Sequence, residues 1–171
     1  LAEAKGDATA AERIIREKGI LKAAKRAEKT AAAGIVASYV HGDGRIGVLL
    51  ELDCETDFVA RTDEFKTLSD DICLQIASMS PRWVRAEEVP SEVVAEQKAV
   101  FTKQAEGEGK GAHAPKIADG RMRKFYEEVC LLEMLFIKDD KKKVGDVVTA
   151  AAAKMGENVV VRRFARFAVG D

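Results

Sequence analysis

"GIVASYVHGDGRIGVLLELD", residues 34–53, decides the fold. Two runs rich in β-branched and aromatic residues flank Gly42-Asp43-Gly44, residue types that reverse a chain between paired strands. In the second run Ile46, Val48, Leu50 and Leu52 share one face, while Gly47, Glu51 and Asp53 fall largely on the other. That is the alternation of a strand with one face in a core. A hairpin buried on one side requires helices to cover it.

Those helices follow. Phe65, Leu68, Ile72, Ile76 and Met79 recur at helical spacing, Thr62 is placed to cap, Asp63 and Glu64 suit the positive end, and Pro81 ends the run. A second helix is predicted after Pro90, with Ser91 as its cap and Val94, Lys98, Phe101 and Ala105 along one side. "GEGKGAHAP", residues 107–115, breaks it. A third runs from about Pro115 to Leu132, where Ala118, Met122, Phe125, Val129 and Leu132 make a seam suited to an antiparallel helical partner. "VGDVVTAAAAKMG", residues 144–156, reads as a last helix ending at Gly156, and "NVVVRRFARFAV", residues 158–169, as a closing strand. Phe164 and Phe167 lie out of strict alternation, which predicts a bulge or strong twist.

Upstream of the hairpin the texture is alanine- and charge-rich. "DATAAERIIREKG", residues 7–19, predicts a short helix capped by Asp7 or Thr9 and stopped by Gly19, with Ile14 and Ile15 as its apolar face. Residues 20–34 predict a connector helix ending at Gly34. The resulting class is α+β, with a small antiparallel three-stranded sheet covered by helices that include a helical hairpin.

Composition narrows the function classes. The 171 residues suit one ordinary domain with a small appendage, and no apolar run reaches the roughly 20 residues needed to span a bilayer. With 28 basic against 29 acidic side chains, the net charge of −1 gives no field to draw in nucleic acid or an anionic membrane. A protein partner or a small ligand fits better. Cys54, Cys73 and Cys130 are odd in number and form no CxxC pair, which suggests a reducing compartment. The chain starts with Leu1 and nothing at that end resembles a signal peptide, so it is expected to be trimmed or processed.

The candidate chemistries are weak. "GEGKG" lacks the spacing of a phosphate loop and does not follow a strand. His41 and Cys54, with Asp57 as orienter, would make a nucleophile and base, but an exposed turn histidine and a small buried thiol explain them more simply. The adjacent pairs Asp70-Asp71 and Asp139-Asp140 point different ways, and "DDKKK" reads as a solvated loop. "RRFARF" mixes arginines with aromatics, yet no second basic aromatic patch accompanies it. No enzyme signature, cofactor or metal is expected, and the reading is of a binding protein. The alternatives are a cysteine-dependent small-molecule enzyme and a non-catalytic interaction module.

One stretch stands apart. "CETDFVARTDEF", residues 54–65, places Phe58 between Asp57 and Val59 where the second strand gives way to a helix. With "GRIGVLLELDCETDFVARTDEF" (44–65), "EEVCLLEMLFIKDD" (127–140) and "GENVVVRRFARFAVGD" (156–171), the chain resembles the elongation factor Ts family, guanine-nucleotide exchange factors of elongation factor Tu. The likeness runs through the chain in order, and Thr56-Asp57-Phe58-Val59 matches the family's TDFV motif. The resemblance implies that Asp57 and Phe58 insert as a wedge between helices of the GTPase, disturb its Mg²⁺ and phosphate site and expel GDP. Thr56 would support the turn and Val59 would pack beneath it.

It further implies that residues 1–19 are the C-terminal part of a three-helix module like a ubiquitin-associated domain whose first helix is absent, followed by the 20–34 connector and a 35–171 core and dimerisation domain. Met134-Leu135 stands where the family more often has Gln-Pro, altering a loop. Only one hairpin-plus-helices unit is present, so the short single-core type is implied, pairing as a homodimer. The expected location is the bacterial cytoplasm, or an organelle matrix or stroma.

Overall fold

The computed structural model describes residues 7–171. Residues 1–6 and the side chain of Ile15 lie outside the described residues. The chain forms two compact units, one of Leu1–Met79 with Gly145–Asp171 and one of Ser80–Val144.

The first unit is built on the hairpin. Strand β1, Ala33–His41, pairs antiparallel with β2, Ile46–Cys54, in the register His41↔Ile46 to Ala33↔Cys54. The turn has Gly42, Asp43 and Gly44 all at positive φ, which two glycines make inexpensive. β5, Val159–Ala168, closes the sheet on the other side of β2, also antiparallel, giving the order β1-β2-β5. The expected irregularity is present, but it sits at Arg162: Glu51 pairs with Arg163 and Leu52 with Val161, so Arg162 is the extra residue.

Helix α3, Asp63–Met79, covers β1 and β2. Phe65, Ile72 and Ile76 are fully buried, as are Leu50 and Leu52 of β2. Burial of such side chains contributes about 1.5–3 kcal/mol each. Thr62 caps the helix as expected, its Oγ1 accepting the Phe65 N–H at 3.2 Å. Met79 departs from the expected apolar face and is exposed, because the helix ends there and Ser80 follows at positive φ. Helix α6, Val144–Met155, ends at Gly156 with φ +73.

The leading segment corrects the sequence expectation. One helix, α1, Ala8–Arg26, runs through Gly19, and there is no connector helix to Gly34. Gly19 marks a close approach instead of a stop: a Cβ there would lie 3.3 Å from that of Ala153 on α6. Asp7 is the cap, accepting the N–H groups of Thr9 and Ala10 at 2.9 and 3.2 Å. Ile14 is half-buried. Gly34 belongs to β1 at φ +148, where any Cβ would meet the Leu52 carbonyl oxygen at 2.3 Å. It is a strand glycine required by close backbone approach.

In the second unit α4, Ser91–Gly107, and α5, Ala114–Val129, form the expected helical hairpin. Ala105, Ala118 and Met122 are buried, and Lys98 pairs with Asp119 across it at 2.7 Å. Ser91 makes no capping bond; Pro90 precedes the first turn with extended backbone. The third helix stops at Val129, short of Leu132, because Cys130 turns extended to pair with Trp83 and Leu131 donates to the Trp83 carbonyl at 2.9 Å. "DDKKK" is no loop: β4, Asp139–Lys143, pairs antiparallel with β3, Leu135–Phe136. Met134-Leu135 therefore opens a short strand, with Met134 buried and Leu135 exposed.

Candidate functional site

The corner after β2 is built by local capping. Its four-residue helix α2, Asp57–Ala60, has Thr56 as N-cap in extended conformation, with Oγ1 facing the Val59 N–H at 3.5 Å. The Ala60 N–H returns to the Thr56 carbonyl at 3.2 Å, and Ala60 is buried. Thr62 then bonds back to the Val59 carbonyl at 2.8 Å before α3 begins. A four-residue helix thus meets the long helix α3 at a bend anchored on both sides.

That bend puts its apolar residue outward. Phe58 is 87% exposed, whereas Phe65, seven residues on, is at 0%. Asp57 beside it is exposed, and Val59 is half-buried under the turn. Thr56, Asp57, Phe58 and Val59 thus form one contiguous corner with a free aromatic ring at its tip. A large exposed ring held by anchored backbone is the form of an interface anchor, since little conformational freedom remains to be lost on docking.

The other candidate groups do not assemble. His41 and Cys54 lie at opposite ends of the hairpin, as the register from His41↔Ile46 to Ala33↔Cys54 requires. His41 stacks on Tyr39, whose hydroxyl is 2.9 Å from its Nδ1. The three thiols are free and buried. Burial pushes the Cys54 thiol up, and pushes those of Cys73 and Cys130 up to about 11. Such thiols are poor nucleophiles near neutral pH. In the "GEGKG" loop Glu108 pairs with both Lys110 and Arg121. Arg162, Arg163 and Arg166 are committed to Asp53, Glu51 and Asp171. Among the described residues no group of three or more His, Cys, Asp or Glu is placed to hold a metal ion, and no helix is long and apolar enough to cross a membrane.

The family model described as Elongation factor TS matches residues 3–171. The chain belongs to the elongation factor Ts family. Over its full length it is 52% identical to Elongation factor Ts of Anaeromyxobacter sp. (strain Fw109-5), covering 78% of that protein. It is 50% identical to that of Caldanaerobacter subterraneus subsp. tengcongensis, covering 86%, and 49% identical to that of Thermosipho melanesiensis, covering 88%. Membership places it among translation elongation factors with a nucleotide-exchange role.

In this member of the family the corner is also held from a distance, by residues that sequence reasoning missed. Thr56 Oγ1 donates to Glu157 Oε1 at 2.6 Å, and Glu157 Oε2 accepts the N–H groups of Glu55 and Thr56 at 3.1 and 3.0 Å. In return Glu55 Oε1 accepts the Asn158 N–H at 2.7 Å, while Arg26 grips the Glu55 carboxylate in a fork at 2.9 and 2.8 Å. The Arg26 guanidinium and then the Asn158 N–H hold the Glu55 carboxyl down at about 2. Asn158, itself buried, caps the carbonyls of Ala27 and Lys29 at 3.3 and 2.8 Å. The signal in the sequence was slight: a Glu-Asn pair between the helix-ending Gly156 and an apolar strand.

Proposed function

We propose that the chain binds elongation factor Tu and accelerates GDP release, with the Thr56–Val59 corner as the contact that disturbs the GTPase's Mg²⁺ and phosphate site. The observation that carries this reading is the nearly complete exposure of Phe58 on a backbone anchored at both ends. An aromatic that the chain does not use for its own core is available to a partner pocket. Asp57 accompanies it, Thr56 supports the turn and Val59 packs beneath. The chain supplies differential binding to the nucleotide-free partner and carries out no bond chemistry.

Linkage makes the preference mutual: if the factor weakens GDP binding, GDP with Mg²⁺ weakens the factor's binding, typically by about 1–3 kcal/mol. The test is stimulated release of labelled GDP from a bacterial elongation factor Tu. Acceleration that saturates with chain concentration is expected, together with tighter binding to the nucleotide-free partner in calorimetry. An unchanged release rate, or equal affinity with and without GDP, refutes the reading.

The 35–171 core is proposed to pair with a second copy. Val36, Val40, Leu49 and Phe167 leave an apolar patch exposed on the uncovered face of the sheet, and such patches mark association surfaces. Light scattering at micromolar concentration is expected to give twice the 18.6 kDa chain mass; a monomer mass refutes pairing. Residues 1–19 are read as the end of a ubiquitin-associated-like module, with 20–34 leading into the core, and the bacterial cytoplasm as the place of action.

A further inference from the structure

We infer that Glu157 is a positioning residue for the Thr56–Val59 corner, fixing the orientation of Phe58. The inference rests on the reading of that corner as the exchange contact. α2 has four residues, too few for a helix to hold itself, and the ring of Phe58 receives almost no packing from its own chain. Its direction is therefore set by what grips the residues on either side, Ala60 and Thr62 after it and Glu157 before it. Both carboxylate oxygens of Glu157 are spent there, one on the Thr56 hydroxyl and the other on two successive backbone N–H groups. Bonds from N–H and O–H to a carboxylate are about twice as strong as neutral ones.

Glu157 is itself fixed in place. It lies two residues before β5, whose first pair, Cys54↔Val159, sets its height beside the corner. Its neighbour Asn158 returns a backbone N–H to Glu55 and caps the carbonyls of Ala27 and Lys29, and Arg26 closes the loop through its fork on Glu55. Three segments far apart in sequence thus meet around two carboxylates of opposite direction, one reaching from β2 to β5 and one from β5 to β2. A corner held in its working geometry before nucleotide is displaced avoids the ordering cost in the exchange step itself, so its loss lowers the maximal rate more than it weakens docking. Loss of Glu157 should leave the corner present but loose.

The experiment measures labelled-GDP release from a bacterial elongation factor Tu against concentration of the wild type, Glu157→Ala, Glu157→Gln and Phe58→Ala chains, with hydrogen exchange on the free proteins. Glu157→Ala is expected to lower the maximal stimulated rate about tenfold while the half-saturating concentration stays within twofold. Glu157→Gln keeps the volume and one carbonyl acceptor and is expected to fall between it and the wild type. In both variants the amides of Glu55 and Thr56 should lose protection while those of Leu50 and Leu52 keep it.

If Glu157→Ala exchanges normally while Phe58→Ala is slow, the positioning role is overturned and the exchange contact stands. A higher half-saturating concentration at an unchanged maximal rate also overturns it, by marking Glu157 as an ordinary docking residue. If Phe58→Ala itself releases GDP at the wild-type rate, the exchange-contact reading falls and the positioning role with it. Should the alanine variant not fold, a Gln variant indistinguishable from wild type in both rate and amide protection overturns the inference.

Discussion

Truncating Phe58 to alanine separates an interface ring from a core ring. At 87% exposure the residue buries roughly an eighth of its surface, about 25 Å² of a ring and stem of about 200 Å², and at about 25 cal/mol per Å² the lost burial is about 0.6 kcal/mol. Alanine's better helix propensity returns a similar amount in α2. The melting temperature should therefore move by less than about 2 °C, given about 2–4 °C per kcal/mol for a chain of this size. Phe65→Ala is the internal control: its ring is fully buried, and the cavity should cost about 3–5 kcal/mol. In exchange the ranking reverses. Seating a phenylalanine in a partner's apolar pocket is worth about 1.5–3 kcal/mol, so Phe58→Ala should slow stimulated GDP release by about 10- to 150-fold. Both quantities are read on the same preparation, by thermal unfolding and by release of labelled GDP. A Phe58→Ala chain that unfolds, or one that stays folded and releases GDP within twofold of the wild-type rate, refutes the argument.

Three further outcomes follow from the fold. Glu55 ordinarily titrates near 4.5 and is held at about 2 in the folded chain, so the folded state binds the proton less readily than the unfolded one. Its contribution is fully present above about pH 4.5 and disappears as pH falls towards 2, and the gap in urea midpoint between wild type and Glu55→Gln should narrow across that window. A constant gap from pH 7 to 3 counts against the Arg26 clasp. Gly34→Ala forces a Cβ onto the Leu52 carbonyl at a φ of +148 and should cost about 3 kcal/mol or more, while Gly47→Ala, with nothing within 4 Å, should change stability by less than about 0.5 kcal/mol; denaturant titration of the two side by side decides it. The thiols of Cys54, Cys73 and Cys130 should react slowly with a disulfide reagent at pH 7.5 and fully in denaturant, and rapid labelling of the native chain would contradict their burial.

The sequence determined those parts whose physics is local. The period-two alternation around Leu50 and the Gly-Asp-Gly turn specify the hairpin, because a one-residue slip would turn its apolar face to solvent. The 3.6-residue spacing from Phe65 to Ile76 specifies the helix that covers it, and Thr56 ahead of Asp57 specifies the cap of the four-residue turn. Where a local signal had two meanings, only packing chose between them. Gly19 reads as a stop but permits α1 to approach Ala153, and Gly34 reads as a helix end but permits β1 to approach Leu52. "DDKKK" reads as a solvated loop, yet pairing with Leu135–Phe136 makes it a strand. The exposure of Phe58 and the grip of Glu157 on Thr56 were decided by tertiary structure alone. Residues 101 positions apart carry no shared periodicity, and the bond between them exists only because β5 returns beside β2 and sets the two side chains at one height.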